Sequence, residues 1–242
     1  MSATPLDILA IAAHRDDVEQ TCGGTLLKAA QRGQRTGVLD LTQGEMGTRG
    51  TAEDRAREAE DAARILGVGW RRALDIPDGR VENTWENRLK VAGVIRETRP
   101  HVVILPYWKG RHPDHYTCSV LGYEACFLAG LRKLALGSQP LAPHRPFKII
   151  YATLYYDVRP TFVVDISQQF EQKFASILAY KSQFSDQEAG KDLFPAYNEI
   201  HARVESMARY SGALGGVTYA EPFLQKEVGL VDDLLAVPVK SI

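Results

Sequence analysis

Cysteine is scarce in this chain. Cys22, Cys118 and Cys126 are odd in number and show no Cys-x-x-Cys spacing. That leaves no basis for a disulfide framework and reads as free thiols in a reducing, cytoplasmic compartment. No apolar run approaches the roughly 20 residues of a membrane span. The opening "MSATPLDILA" lacks the basic and apolar regions of a signal peptide. Neither sign of charge is in excess: 29 Lys and Arg face 30 Asp and Glu, a net charge of −1 that makes no nucleic-acid surface. Two phosphate motifs are also missing, the Gly-x-Gly-x-x-Gly fingerprint and the Walker A sequence. A nucleotide-dependent dehydrogenase is disfavoured for that reason.

What remains is a chain of 242 residues, 45% hydrophobic, enough for a sizeable core and one domain over residues 1–242. Strand and helix patterns alternate through the first 135 residues or so. Apolar runs over Asp7–Ala13, Thr36–Thr42 and His101–Pro106 read as buried strands. Helices are predicted over Thr21–Gly33, Thr51–Gly67 and Trp85–Arg99, the second opened by a capping box of Thr51 and Asp54 and the third stopped before Pro100. A short strand and turn lie in "RRALDIPDG". Val120, Tyr123, Phe127, Leu131 and Leu134 form a stripe that marks a long helix from Asp114, as core or as a subunit interface. Two further strands, in "FKIIYATLYY" and "TFVVDI", precede a helix over Ser167–Phe184 with Phe170, Phe174, Ile177 and Leu178 inward. From about Asp186 the pattern assigns nothing. The alternation predicts an α/β fold, a Rossmann-like doubly wound and mostly parallel sheet with helices on both faces.

In such sheets ligands sit beyond the carboxyl ends of the strands. Strand 1 ends in "AHRDDVE", which puts His14, Asp16, Asp17 and Glu19 where a nucleotide fold would carry glycines. The strand "HVVILP" ends in "YWKGRHPDHY", with His112, Asp114 and His115. If the two strands are neighbours at a switch point, both clusters face one crevice. Imidazole with carboxylate suits Zn²⁺, and a catalytic zinc takes three protein ligands and keeps one position open. Two histidines and one aspartate suffice, which leaves an aspartate and a histidine for acid–base and electrostatic work. A helix N-cap would account for Asp16 or Asp17 taken alone.

The chain resembles the PIG-L-like (LmbE-like) zinc de-N-acetylases. "AHRDDVE" is similar to their first motif and "HPDH" to their second; "DLTQGEMGTRGT", "ENRLKV", "PHRP" and "TFVVDIS" extend the likeness to the bacillithiol-biosynthesis branch. The resemblance implies a hydrolase that removes acetate from an N-acetylglucosaminyl conjugate, with L-malate as aglycone in this branch. It implies His14, Asp17 and His115 as zinc ligands, and Asp16 as general base. His112, paired with Asp114, would be a cationic oxyanion stabiliser, and Tyr197 would polarise the acetyl carbonyl. Arg55 matches a substrate-contacting arginine, and Arg49 and Arg111 are further cations suited to a carboxylate-bearing substrate. The family implies a homo-oligomer, a hexamer. One departure stands out: Arg15 replaces the proline that usually follows the first histidine. It is expected to add a cation near the site. Two rivals remain, the same hydrolysis on another N-acetyl sugar such as a chitin oligosaccharide, and a non-catalytic metal- or sugar-binding module.

Overall fold

The computed structural model describes residues 5–136, 141–184 and 197–239, the side chains of residues 197 and 198 excepted. Five strands run parallel: β1 (Ile8–Ala12), β2 (Thr36–Asp40), β3 (Trp70–Ala73), β4 (Val102–Pro106) and β5 (Lys148–Ala152). β6 (Phe162–Asp165) and β7 (Ala220–Leu224) close one side, and the order is β3-β2-β1-β4-β5-β7-β6. Only β7 pairs antiparallel with its neighbours, β5 and β6. The strands β1, β2 and β4 are buried on both faces, which is why they read as unbroken apolar runs. β1 pairs with β2 on one side and β4 on the other, Ile8 lying opposite both Thr36 and Val102. The sheet therefore has its switch point between β1 and β4.

Helices cover both faces. Leu9, Ile11, Leu39, Val103 and Leu105 pack against α4 (Trp85–Thr98) and α5 (Pro113–Ala129). On the other face Ala10, Ala12, Val38 and Ile104 meet α1 (Asp17–Thr21) and α2 (Gly23–Gln31). α3 (Ala52–Ile65), α6 (Phe170–Leu178) and α7 (Lys181–Phe184) pack together, and α8 (Tyr197–Gly215) leans on β6 and β7. The capping box of Thr51 and Asp54 is present, and Gly67 takes φ +65° just past the end of α3.

Three local expectations are corrected. The helix predicted over Thr21–Gly33 is two pieces, broken at Cys22 (φ −143°, ψ 17°). The reason lies in the first turn of α2, where Glu221 of β7 accepts from Gly24 N (2.9 Å) and Thr25 N (2.7 Å). A Cβ on Gly24 would sit 2.9 Å from Ile166 and 3.1 Å from Glu221, so this approach needs glycine. The helix N-terminus that binds phosphate in nucleotide folds is here filled by the chain's own carboxylate. The helix predicted through Phe184 likewise breaks after Leu178 into α6 and α7.

The helix marked by the stripe from Val120 to Leu134 ends at Ala129, and of the two readings of that stripe, core or subunit interface, its α5 part is not core. Val120, Tyr123 and Phe127 point outward, Phe127 with 56% of its surface exposed. The inner face is made of Cys118, Leu121, Gly122, Ala125, Cys126 and Ala129. Small side chains let α5 lie close to the sheet, and a Cβ on Gly122 would meet Leu105 at 2.5 Å. The bulky residues are left to solvent because the sheet has no room for them.

Cys22, Cys118 and Cys126 are all buried thiols, and burial pushes the pKa of each upward. A thiol-specific reagent should therefore titrate none of them in the native protein and all three in denaturant.

Candidate metal centre

His14 follows β1 directly, at the carboxyl edge of the sheet, and its ring is the hub of the site. One nitrogen, Nδ1, lies 3.2 Å from His115 Nε2 and 3.4 Å from Asp17 Oδ2. Asp17 Oδ1 is 3.1 Å from His115 Nε2. The two histidines and the aspartate, from two distant segments, thus approach pairwise at 3.1–3.4 Å, Asp17 turning Oδ2 to His14 and Oδ1 to His115. Tetrahedral zinc with bonds of 2.0–2.1 Å needs donors about 3.3–3.4 Å apart, a spacing close to that of each of these pairs.

The other nitrogen, His14 Nε2, faces Asp78 Oδ1 (3.1 Å) and Asp114 Oδ2 (3.2 Å). Those carboxylates are already engaged. Asp114 accepts from Gly79 N (2.9 Å) and Val81 N (3.2 Å), and Asp78 from Met46 N (3.0 Å). They form the acidic support that fixes the tautomer and aim of a ligating histidine. A His14–Asp78–Asp114 group and a His14–His112–His115 group also have the reach for an ion. In the first, Asp78 offers Oδ1 while its Oδ2 accepts from Met46 N, and Asp114 offers Oδ2, which also accepts from Gly79 N. The second would use an exposed His112 whose Nδ1 already accepts from Asp114 N at 3.2 Å.

The electrostatics are those of a cation site. Burial lowers the His14 pKa, but the Asp17 charge and hydrogen bonds to Asp114, Asp17 and Asp78 outweigh it and raise it to about 12. Burial would raise Asp17, yet His115 and His14 hold it well below the usual carboxylate range. The negative field that retains a proton here is the field a divalent cation would neutralise.

The neighbouring pocket has a volume of about 490 Å³. Asp17, Gln20, Thr21, Tyr107, Arg111, His115 and Tyr155 stand on its walls, over an apolar floor that includes Ala12, Val18 and Ile104. It lies at the carboxyl ends of β1, β4 and β5, the crevice the topology provides.

Several expected partners differ. The Asp114 carboxylate holds His14, not His112; its link to His112 is the backbone amide, because His112 is the N-cap of α5. The His112 pKa is accordingly lowered, by desolvation and by the charges of His14 and His115, not raised. Arg55 is buried and donates to Asp16 Oδ1 at 2.8 Å, with Gln20 Nε2 3.3 Å from Asp16 Oδ2. Arg49 is also buried, its Nη1 donating to Gln183 O (3.1 Å). Of the three arginines only Arg111 reaches the pocket, where its backbone N donates to Tyr155 Oη at 2.7 Å. The Arg15 side chain is buried and donates to Ala52 O at 2.6 Å, so it adds no exposed cation. Asp16 occupies the N-cap of α1 but makes no side-chain cap bond, and Asp17 Oδ2 accepts from His14 N at 2.9 Å. The side chain of Tyr197 lies outside the described residues.

Behind the loop is a buried charged network that the motifs do not announce. Arg71 of β3 grips Asp40 through Nε (2.8 Å) and Nη2 (3.0 Å), and Glu19 through Nη1 (2.6 Å). Burial pushes Glu19 up to about 7 against the pull of Arg71. Asp78 and Arg71 escaped the sequence reading. Asp78 had one available signal, since "IPDG" follows a strand at the same edge as the other two clusters.

Comparison with known proteins identifies the family of the chain. A family model for PIG-L, GlcNAc-PI de-N-acetylase, matches residues 9–126. The diacetylchitobiose deacetylase of Thermococcus kodakarensis is 34% identical over 88% of this chain and 80% of its own length. A crystal structure of a conserved protein from Thermus thermophilus superposes with a TM-score of 0.83 at 42% identity, covering 94% of this chain and 98% of that one. The N,N'-diacetylchitobiose deacetylase of Pyrococcus horikoshii superposes with a TM-score of 0.78 at 27% identity, covering 89% and 82%. The chain belongs to the PIG-L family of de-N-acetylases.

Proposed function

We propose that the protein is a zinc-dependent amide hydrolase that removes acetate from N-acetylglucosaminyl conjugates. The observation that carries this reading is the trio His14 Nδ1, Asp17 and His115 Nε2, spaced pairwise at 3.1–3.4 Å, with Asp17 and His115 on the wall of a pocket sized for a small ligand. A zinc ion held by the trio supplies Lewis acidity and brings the ionisation of water to about pH 7. The chain's own groups do the rest. Asp16, held at Oδ1 by Arg55, takes the proton of the attacking water at Oδ2 and returns it to the departing amine. His112 keeps Nδ1 on the Asp114 amide, which leaves Nε2 to donate to the oxyanion. One such donor is typically worth about 2.7–4 kcal/mol. Tyr197 is proposed as a second donor to the same oxygen.

For the aglycone, Arg111 on the pocket wall suits a carboxylate, which favours the malate conjugate of bacillithiol biosynthesis. One feature favours a second sugar ring instead. Tyr107 and Tyr155 line the pocket with ring centroids 6.0 Å apart, flat surfaces of the kind a pyranose covers. Comparing kcat/KM for N-acetylglucosaminyl malate and diacetylchitobiose decides between them. Removing the metal with a chelator is expected to abolish acetate release from either substrate, and added Zn²⁺ to restore it. Release that persists in metal-free protein would overturn the metal-dependent reading. The exposed Val120, Tyr123 and Phe127 face of α5 supports a homo-oligomer, to be measured by light scattering. Among the described residues no helix is long and apolar enough to cross a membrane.

A further inference from the structure

His14 and Asp17 are separated by only Arg15 and Asp16, so the peptide that follows Arg15 sets the angle between two ligand side chains. The Arg15 carbonyl is held from outside the loop by two donors. One is Arg71 Nη2 from β3, and the other is the Tyr180 hydroxyl, between α6 and α7. Neither donor has freedom of its own. Arg71 is locked by Asp40 and Glu19, and Tyr180 is fully buried, with its hydroxyl also 3.2 Å from Glu19 Oε1. The Arg15 side chain ties the same residue to Ala52 at the start of α3.

We propose that Tyr180 and Arg71 are positioning residues, which aim His14 and Asp17 at the metal by fixing the Arg15 carbonyl. This rests on the reading that His14, Asp17 and His115 hold the ion. A metal tolerates ligand distances only within about 0.2 Å, so a loop free to rotate one peptide would lose affinity before it lost its fold. Groups behind the ligands typically contribute 10–100-fold to metal affinity.

The test is Tyr180→Phe, which removes one hydroxyl, against Tyr151→Phe as control. The Tyr151 hydroxyl is buried and hydrogen-bonds to none of the described residues. Zn²⁺ affinity is measured by competition with a chromophoric chelator, and the metal-free proteins are melted in parallel. Tyr180→Phe is expected to bind Zn²⁺ about 10–100-fold more weakly. Its metal-free melting midpoint should fall by only about 2–4 °C, the loss of one hydrogen bond. Tyr151→Phe should keep wild-type affinity. At saturating Zn²⁺, Tyr180→Phe should show a lower kcat with KM unchanged. Wild-type Zn²⁺ affinity in Tyr180→Phe overturns the proposal, as does a Tyr180→Phe protein that fails to fold while Tyr151→Phe folds. Absence of Zn²⁺ binding by the wild-type protein defeats the metal reading itself, and this proposal with it.

Discussion

Asp16→Asn keeps its metal and loses turnover, with kcat down about 10²–10⁴-fold, the usual contribution of a positioned general base. The metal should stay because Asp16 lies outside the His14, Asp17 and His115 trio, whose donors approach pairwise at 3.1–3.4 Å. Asparagine is the better probe than alanine. It still offers an oxygen to Arg55, whose buried guanidinium donates to Asp16 Oδ1 at 2.8 Å and whose Nε has no partner among the described residues. Alanine would strand that cation and mix a folding defect with the catalytic one. Asp17→Asn makes the contrast, since it should lose metal and turnover together. Zinc content and single-turnover acetate release, measured on the same samples, separate the cases. Near-wild-type turnover in Asp16→Asn would show that the base lies elsewhere.

Glu221→Ala should cost about 3–5 kcal/mol of stability, the penalty of breaking a buried ion pair from one side. Glu221 and Lys173 are both buried, with Lys173 Nζ 2.6 Å from Glu221 Oε1. The same carboxylate satisfies Gly24 N, Thr25 N and the Thr25 hydroxyl at the start of α2. Its loss strands an ammonium and two helix amides together. For a chain of this size the melting midpoint should drop by roughly 6–20 °C. Glu221→Gln, still an acceptor for the amides but uncharged, should lose less. Denaturant titration with both variants checks the order. Equal stability in all three proteins would mean that the buried pair contributes nothing net.

The parallel core and the meeting of the two polar clusters were legible in the chain because their signals are local. A strand buried on both faces must be a continuous apolar run, and the polar residues that end it must lie at the carboxyl edge. His14, Asp17 and His115 sit at two such ends, and a β1–β4 switch point is enough to bring them together. The Thr51 capping box is equally local.

What stayed hidden depends on partners far away in sequence. Arg15, Arg49 and Arg55 read as cations near a site, yet each guanidinium is buried on a carbonyl or carboxylate of another segment. A charged side chain has long reach and no periodicity, so only packing tells which acceptor it meets. The stripe on α5 was visible as a stripe, but which face meets the sheet depended on volume, and Gly122 and Ala125 win contact with Leu105 over Tyr123 and Phe127. Asp78 and the Arg71 network carry no motif; they became neighbours of the metal loop only when β3 joined the sheet edge beside β2. Local chemistry thus pointed to the candidate cluster, and the family resemblance proposed which of its members hold the ion. Their aim was settled by the close packing of β3, α3 and the α6–α7 junction behind them, because a buried polar group has a definite partner only once the surrounding elements have excluded water.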